Sequence, residues 1–194
     1  MAKVKFTVTM QHDEDSLVAL SHMQYDLFCT RNRIARNVVA ALVIVIAVLY
    51  GGGSWWSLLL IAYGCYLMTS TYASSNRTAH RITDQLKAAG LPFPASEYSF
   101  DGVAMHIVSL PDREESEPLP YGRMLQLGED FKAYYIFRDQ YGGYMIPKAA
   151  LGSREEEFRR FIQEKTGKLF IRRWTPLRRL KSWLKQRENE PEHL

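Results

Sequence analysis

Hydrophobic and polar positions divide this chain into three regimes. From Asn37 to Asn76 there is no Asp, Glu, Lys or Arg, and Gly51-Gly52-Gly53-Ser54 interrupts the run near its middle. The two apolar halves, Asn37–Tyr50 and Trp55–Tyr72, each approach the ~20 residues that cross about 30 Å of hydrocarbon. The pattern predicts a transmembrane helical hairpin. Its first half reaches full length by recruiting Ile34 and Ala35, with Arg36 snorkelling to the headgroups.

Before the hairpin, Lys3 to Thr9 alternates, with Val4, Phe6 and Val8 on one side. That period of two predicts a strand with one buried face. A strand so short needs a sheet supplied from later in the chain. His12-Asp13-Glu14-Asp15-Ser16 then gathers acids where a helix start favours them, ahead of Leu17, Leu20, Gln24, Leu27 and Phe28 at helical spacing.

After the hairpin, Arg77 to Ala89 continues as helix until Gly90, Pro92 and Pro94. Short strands come next. Glu97–Phe100 and Val103–Val108 flank an Asp101-Gly102 turn, Pro111–Pro120 reads as a charged loop, and Tyr121–Leu127, Phe131–Phe137 and Tyr141–Ile146 read as further strands. Ser153-Arg154-Glu155-Glu156 has the form of a capping box ahead of Phe158, Phe161 and Ile162, and Gly167 is a helix stop. The segments divide as 1–33 (strand and helix), 34–76 (hairpin), 77–95 (connecting helix and linker), 96–168 (β domain with its helix) and 169–194 (tail).

Charge orients this plan. Arg31, Arg33 and Arg36 precede the hairpin, Arg77 and Arg81 come after it, and the turn between its halves is uncharged. The positive-inside bias places both termini in the cytoplasm of a multi-pass plasma-membrane protein. Tyr50, Trp55 and Trp56 stand where an outer aromatic belt would lie. Ala40, Ala47 and Gly51, with Ser57, Gly64 and Thr71, offer small faces for closing the hairpin; self-association is the alternative use. Over 194 residues the mean hydropathy of −0.25 averages an apolar block with a polar remainder, and the net charge of +4 does not by itself mark a nucleic-acid binder. Cys29 and Cys65 supply no disulfide framework, and the N-terminus lacks a signal peptide's apolar region, so the first span is expected to act as an uncleaved anchor.

The tail carries its own pattern. Thr175-Pro176 is an N-cap followed by a first-turn proline, Leu177, Leu180 and Leu184 form an apolar line, and Trp183 adjoins it. Arg172, Arg173, Trp174, Arg178, Arg179, Lys181, Trp183, Lys185 and Arg187 are the candidate surface-contact residues of a basic amphipathic helix on anionic lipid headgroups. A helix packed on its own domain, or RNA contact, is the alternative, with nucleic acid the least favoured.

Catalytic candidates are few. Ser99 or Ser109 with His106, Asp101 near His106, and Lys148 after Pro147 are the groups worth locating. His12-Asp13-Glu14-Asp15 has ligand chemistry, but no second His or Cys group stands at metal spacing. No nucleotide, nucleophile-elbow or zinc-protease motif is present, and the glycines of Tyr141-Gly142-Gly143-Tyr144 belong to a hairpin turn. No ionisable residue lies mid-membrane to suggest a pump or ion pathway. The expectation is no catalysis, no cofactor and no metal.

The FTVT strand with Asp13–Asp15, the SFDGV turn at Ser99–Val103, and YYIF…YMIPKAAL at Tyr134–Leu151 followed by EEEFRRFI carry a likeness that runs to about Lys168. In these features the chain resembles the YcxB-like family of bacterial membrane proteins, with Tyr121 where the family pattern has tryptophan and the basic tail as an addition. The resemblance implies a cytoplasmic module similar to pleckstrin-homology-like domains, a small bent sheet capped by a C-terminal helix, and implies no activity.

The expected fold is therefore an α+β membrane protein: a two-helix hairpin, and a small antiparallel sheet with a C-terminal helix on the cytosolic side. The expected role is non-enzymatic interaction with lipid or with a protein partner, a second copy included. An accessory subunit of a transporter or signalling complex is the alternative, and a membrane-surface enzyme the third.

Overall fold

Alternation of Phe6, Val8 and Met10 with polar neighbours produces β1 (Phe6–Gln11), its apolar side buried throughout. The computed structural model describes residues 4–50 and 53–172, except the side chains of residues 71, 72, 74–76 and 78. β1 runs two residues further than the Lys3–Thr9 pattern implies, because its partner strand continues to pair as far as Gln11, while Val4 is left exposed.

Asp13 ends the extended segment and caps α1 (Glu14–Phe28). Its carboxylate accepts from the Ser16 amide at 2.7 Å, and the Ser16 hydroxyl interacts reciprocally with the Asp13 amide at 2.8 Å. This satisfies helix N–H groups that would otherwise lack partners. After Cys29 the chain re-enters helix as α2 (Thr30–Tyr50), and beyond the glycine turn comes α3 (Trp55–Ala88). At 34 residues, α3 extends about 51 Å, well past a bilayer's hydrocarbon. Its far end packs on α1, where Lys87 Nζ meets Glu14 Oε2 at 2.8 Å.

The sequence argued for two spans, and the structure supports one candidate. Among the described residues, α2 is the helix long and apolar enough to cross a membrane, with a mean hydropathy of 2.0 over its most apolar window. α3 falls short because Trp55, Trp56, Tyr63, Tyr66, Thr69 and Ser70 dilute its apolar half. The two helices nevertheless lie side by side, and Ala40, Ala47, Ser57 and Gly64 are buried. These four small residues are thus enclosed where the two helices meet.

The β region forms two sheets. β2 (Ala95–Phe100) pairs antiparallel with β1 on one side and β3 (Ala104–Leu110) on the other, so β1 finds its sheet across all three helices. The 111–120 loop is not free of structure: β4 (Glu114–Glu115) and β5 (Leu119–Pro120) both fold back onto β3. The segment expected as a strand from Tyr121 instead opens with a 3-10 turn at Tyr121–Arg123, and the strand is β6 (Gln126–Glu129). β7 (Ala133–Phe137) and β8 (Gly143–Pro147) complete an antiparallel meander with β6.

Aspartates at the turns explain the shifted strand ends. Asp101 Oδ1 accepts from the amides of Val103 and Ala104, so the first hairpin turns at Gly102-Val103, one residue later than the sequence suggested. Asp130 and Asp139 hold the following turns in the same way.

A single helical turn, α4 (Lys148–Leu151), and a 3-10 turn lead to α5 (Glu155–Thr166). The expected Ser153 capping box is not formed: Arg154 is the cap residue and no side chain caps the helix. Phe158 binds the two sheets together, its ring 5.3 Å from Phe6, 5.0 Å from Phe100 and 5.6 Å from Tyr134. Burial of such a ring stabilises by roughly 1.5–3 kcal/mol. Gly167, at φ 65°, ends α5 as expected, and β9 (Ile171–Arg172) then pairs parallel with β6. The architecture is α+β, with antiparallel sheets, as the sequence indicated.

Candidate functional site

α1 crosses the face of the second sheet opposite to α5. Gly128 makes the approach possible, since a Cβ there would stand 2.7 Å from Met23 Sδ. Phe28 meets Phe137 edge-on at 5.6 Å, closing one end of this contact. Toward α4 the helix and sheet diverge, leaving a groove of about 910 Å³.

Methionines dominate the groove floor. Met10, Met23 and Met145 line it and are nearly buried, and Tyr135 adds a ring whose hydroxyl donates to Asp130 Oδ2 at 2.8 Å. Unbranched thioethers adapt to varied apolar shapes. The rim is acidic: Asp13, Asp15 and Asp26 come from α1 and its cap, and Asp130 from the facing turn, against Lys132 and Lys148. Asp26 also pairs with Arg33, and the Ser16 amide and hydroxyl hold the Asp13 carboxyl below its usual value. Just before the α1 cap, burial pushes the His12 imidazole below its usual value against the opposing pull of Asp13.

A second polar assembly sits on the other face of the sheet. Glu129, 5% exposed in its side chain, has Arg159 Nε at 3.4 Å, Arg172 Nε at 3.7 Å and Lys148 Nζ at 3.8 Å. Lys148 also pairs with Glu155 at 2.9 Å and lies 4.5 Å over the Tyr134 ring. Donation from Lys148 holds the Glu155 carboxyl below its usual value, while burial pushes the Tyr134 phenol up. A buried carboxylate among three cations knits β6, α4, α5 and β9 together.

Of the serine candidates, the strand register keeps Ser99 beside His106 and parts Ser109 from it. Ser99 lies across from His106 in register and Ser109 lies across from Ser96. His106 engages two carboxylates instead, Asp101 Oδ2 at 3.1 Å from Nε2 and Glu115 Oε1 at 3.5 Å from Nδ1. The Ala104 and Val103 amides hold the Asp101 carboxyl below its usual value. Tyr121 donates to the Asp101 and Ala104 carbonyl oxygens, and burial pushes its phenol up. These contacts brace the β2–β3 turn and the returning 111–120 segment.

No family model, curated protein or solved structure matches this chain.

The groove therefore has to be read from its own residues. Among the sequence candidates, Lys148 lines both polar assemblies, and Asp13 and Asp15 reach the groove rim as helix cap and first-turn acid. Arg172, the first surface-contact candidate, faces Glu129 and lies 5.9 Å from the Phe131 ring. Arg173, Trp174, Arg178, Arg179, Lys181, Trp183, Lys185 and Arg187 fall outside the described residues. Sequence reasoning missed Glu129, Arg159, Asp26 and Asp130 as members of a site. The only trace was Gly128-Glu129-Asp130 at a strand end, which reads as a turn.

Proposed function

We propose that this chain is a non-enzymatic, double-pass membrane protein whose cytosolic α+β module is an interaction domain held at the bilayer surface. One observation carries the reading. The outward faces of α2 and α3 expose Val38, Leu42, Ile46 and Leu49 on one helix and Leu58, Leu59 and Tyr63 on the other. Monomeric soluble proteins rarely leave apolar surface of that extent in water.

The rest of the hairpin supports it. Trp55 and Trp56 stack at 4.0 Å beside the turn, suited to the headgroup level, and Arg31, Arg33, Arg36, Arg77 and Arg81 collar the opposite end. α3 fails as a lone span, yet beside α2 it shields that helix's small-residue face and presents lipid with an apolar one. Antiparallel pairing of β1 with β2 fits a chain that leaves and re-enters on one side. The paired sheets closed by α5 favour a pleckstrin-homology-like module, and the likeness to YcxB-like membrane proteins favours the same reading. The domain offers a groove and two satisfied charge clusters, an arrangement suited to binding.

Impermeant thiol labelling tests the topology. In a Cys29→Ser, Cys65→Ser background, Ser54→Cys is expected to label in intact cells, and Lys5→Cys and Lys168→Cys only after lysis. Recovery of the chain in the alkaline-soluble fraction, or Lys5→Cys and Lys168→Cys labelling on opposite sides, would overturn the reading.

A further inference from the structure

The direction in which the described chain ends is informative. β9 runs parallel to β6, so at Arg172 the backbone heads toward the turn that succeeds β6. That turn is Asp130-Phe131-Lys132, which forms one rim of the α1 groove. The Arg172 guanidinium already lies 5.9 Å from the Phe131 ring at this rim. The described backbone thus ends directed at the Asp130–Lys132 rim.

That segment has complementary chemistry. Residues 173–187 carry six cations and no acid, together with Leu177, Leu180, Trp183 and Leu184. The groove presents a methionine floor under four aspartates and two lysines. Asp15 to Asp26 spans about 16 Å of α1, and the apolar anchors Leu177 to Leu184 would span about 10 Å as helix, within that length. An amphipathic helix laid in an apolar groove is a recurrent mode of recognition, read through anchors three and four residues apart.

We infer that residues 173–187 dock in the groove between α1 and the β7–β8 sheet of their own chain, with Leu177, Leu180, Trp183 and Leu184 on the methionine floor and their cations facing the Asp15–Asp26 and Asp130 rims. Covalent attachment gives the segment a local concentration of order millimolar at this seat. The inference goes beyond the membrane reading and does not rest on it. It assigns the basic segment to the domain rather than to lipid, and makes the groove a self-occupied site that a competing basic helix or an anionic surface would have to vacate.

The test uses the full chain in phosphatidylcholine vesicles, with Cys29→Ser and Cys65→Ser as background. Val18→Cys on the groove wall is paired with Leu180→Cys, and Leu91→Cys, exposed beyond α3, is paired with Leu180→Cys as the control. Unchanged unfolding midpoints certify that both chains fold. Oxidation is expected to link the groove pair within one chain at least fivefold more than the control. Charge reversal by Arg178→Glu with Arg179→Glu, or by Asp15→Arg, is expected to lower the yield at least fivefold. A yield at control level, whether the segment lies on lipid or elsewhere, overturns the inference, as does a link formed only between two copies or one indifferent to charge reversal.

Discussion

Gly64 of α3 lies so close to Ala40 of α2 that a Cβ on the glycine would stand 3.1 Å from the Ala40 carbonyl oxygen and 2.6 Å from Ile44 Cγ1. The Ile44 side chain would have to shift first, and the Ala40 backbone beside it limits the space further. Gly64→Leu must therefore part the two helices, at a cost of about 1–3 kcal/mol by analogy with overpacked cores. A lower thermal midpoint in mild detergent, with the β domain's own transition unchanged, is the expected result. Gly122→Leu, where a Cβ would meet nothing, serves as the control.

Glu129 is the hub of a buried ionic cluster, with Lys148, Arg159 and Arg172 all within 3.8 Å of its carboxylate. Glu129→Gln keeps the shape but removes the charge that those cations share. Breaking one side of a buried pair costs about 3–5 kcal/mol, and the part-exposed arginines place this site near the lower end. Urea unfolding is expected to shift its midpoint down, and Lys148→Met combined with Glu129→Gln to cost less than the separate losses added together.

Asp101 gives a dependence on acid pH. Amides of Ala104 and Val103, with His106 adding to them, hold its carboxyl below the usual value. A depressed folded pKa contributes stability that is present above about pH 4, the unfolded value, and is lost as pH falls through the lower folded value. Asp101→Asn is therefore expected to be less stable than the native chain at pH 7. The gap should narrow as denaturation midpoints are followed below pH 4.

His12 works at milder pH and through burial. Its imidazole, 3.2 Å from the Ser16 hydroxyl oxygen, is held below its usual value by desolvation. Below about pH 6.5 the unfolded chain binds the proton that the folded chain resists, so stability falls as pH drops through that range and levels off below the folded value. His12→Gln is expected to flatten the stability profile between pH 7 and pH 5. An unchanged slope would assign that dependence to other groups.

The domain's own logic was only partly legible in its residues. The acidic run at Asp13–Asp15 reads as a helix start, and Asp13 caps α1 as that reading implies. Ser153 has the same outward form and caps nothing, because a 3-10 turn after α4 carries the chain past the capping geometry. His106 and the nearby serines look alike as a one-dimensional cluster. The Asp101 turn and the return of Glu115 decide that the histidine meets carboxylates. The groove was invisible, since its walls come from α1 and from turns more than 100 residues later.

Local chemistry by itself determined the uncharged helical pair, the alternating β1 and the aspartate turns. Each arises from periodicity, charge or a capping side chain acting over a few residues, which is information one stretch of chain contains. Tertiary structure alone decided that β1 joins β2 across three helices, that Phe158 binds two sheets, that Glu129 is buried among cations, and that the chain at Arg172 points toward an acidic groove. Those outcomes depend on which distant surfaces bury one another, and only closure of the whole core sets that.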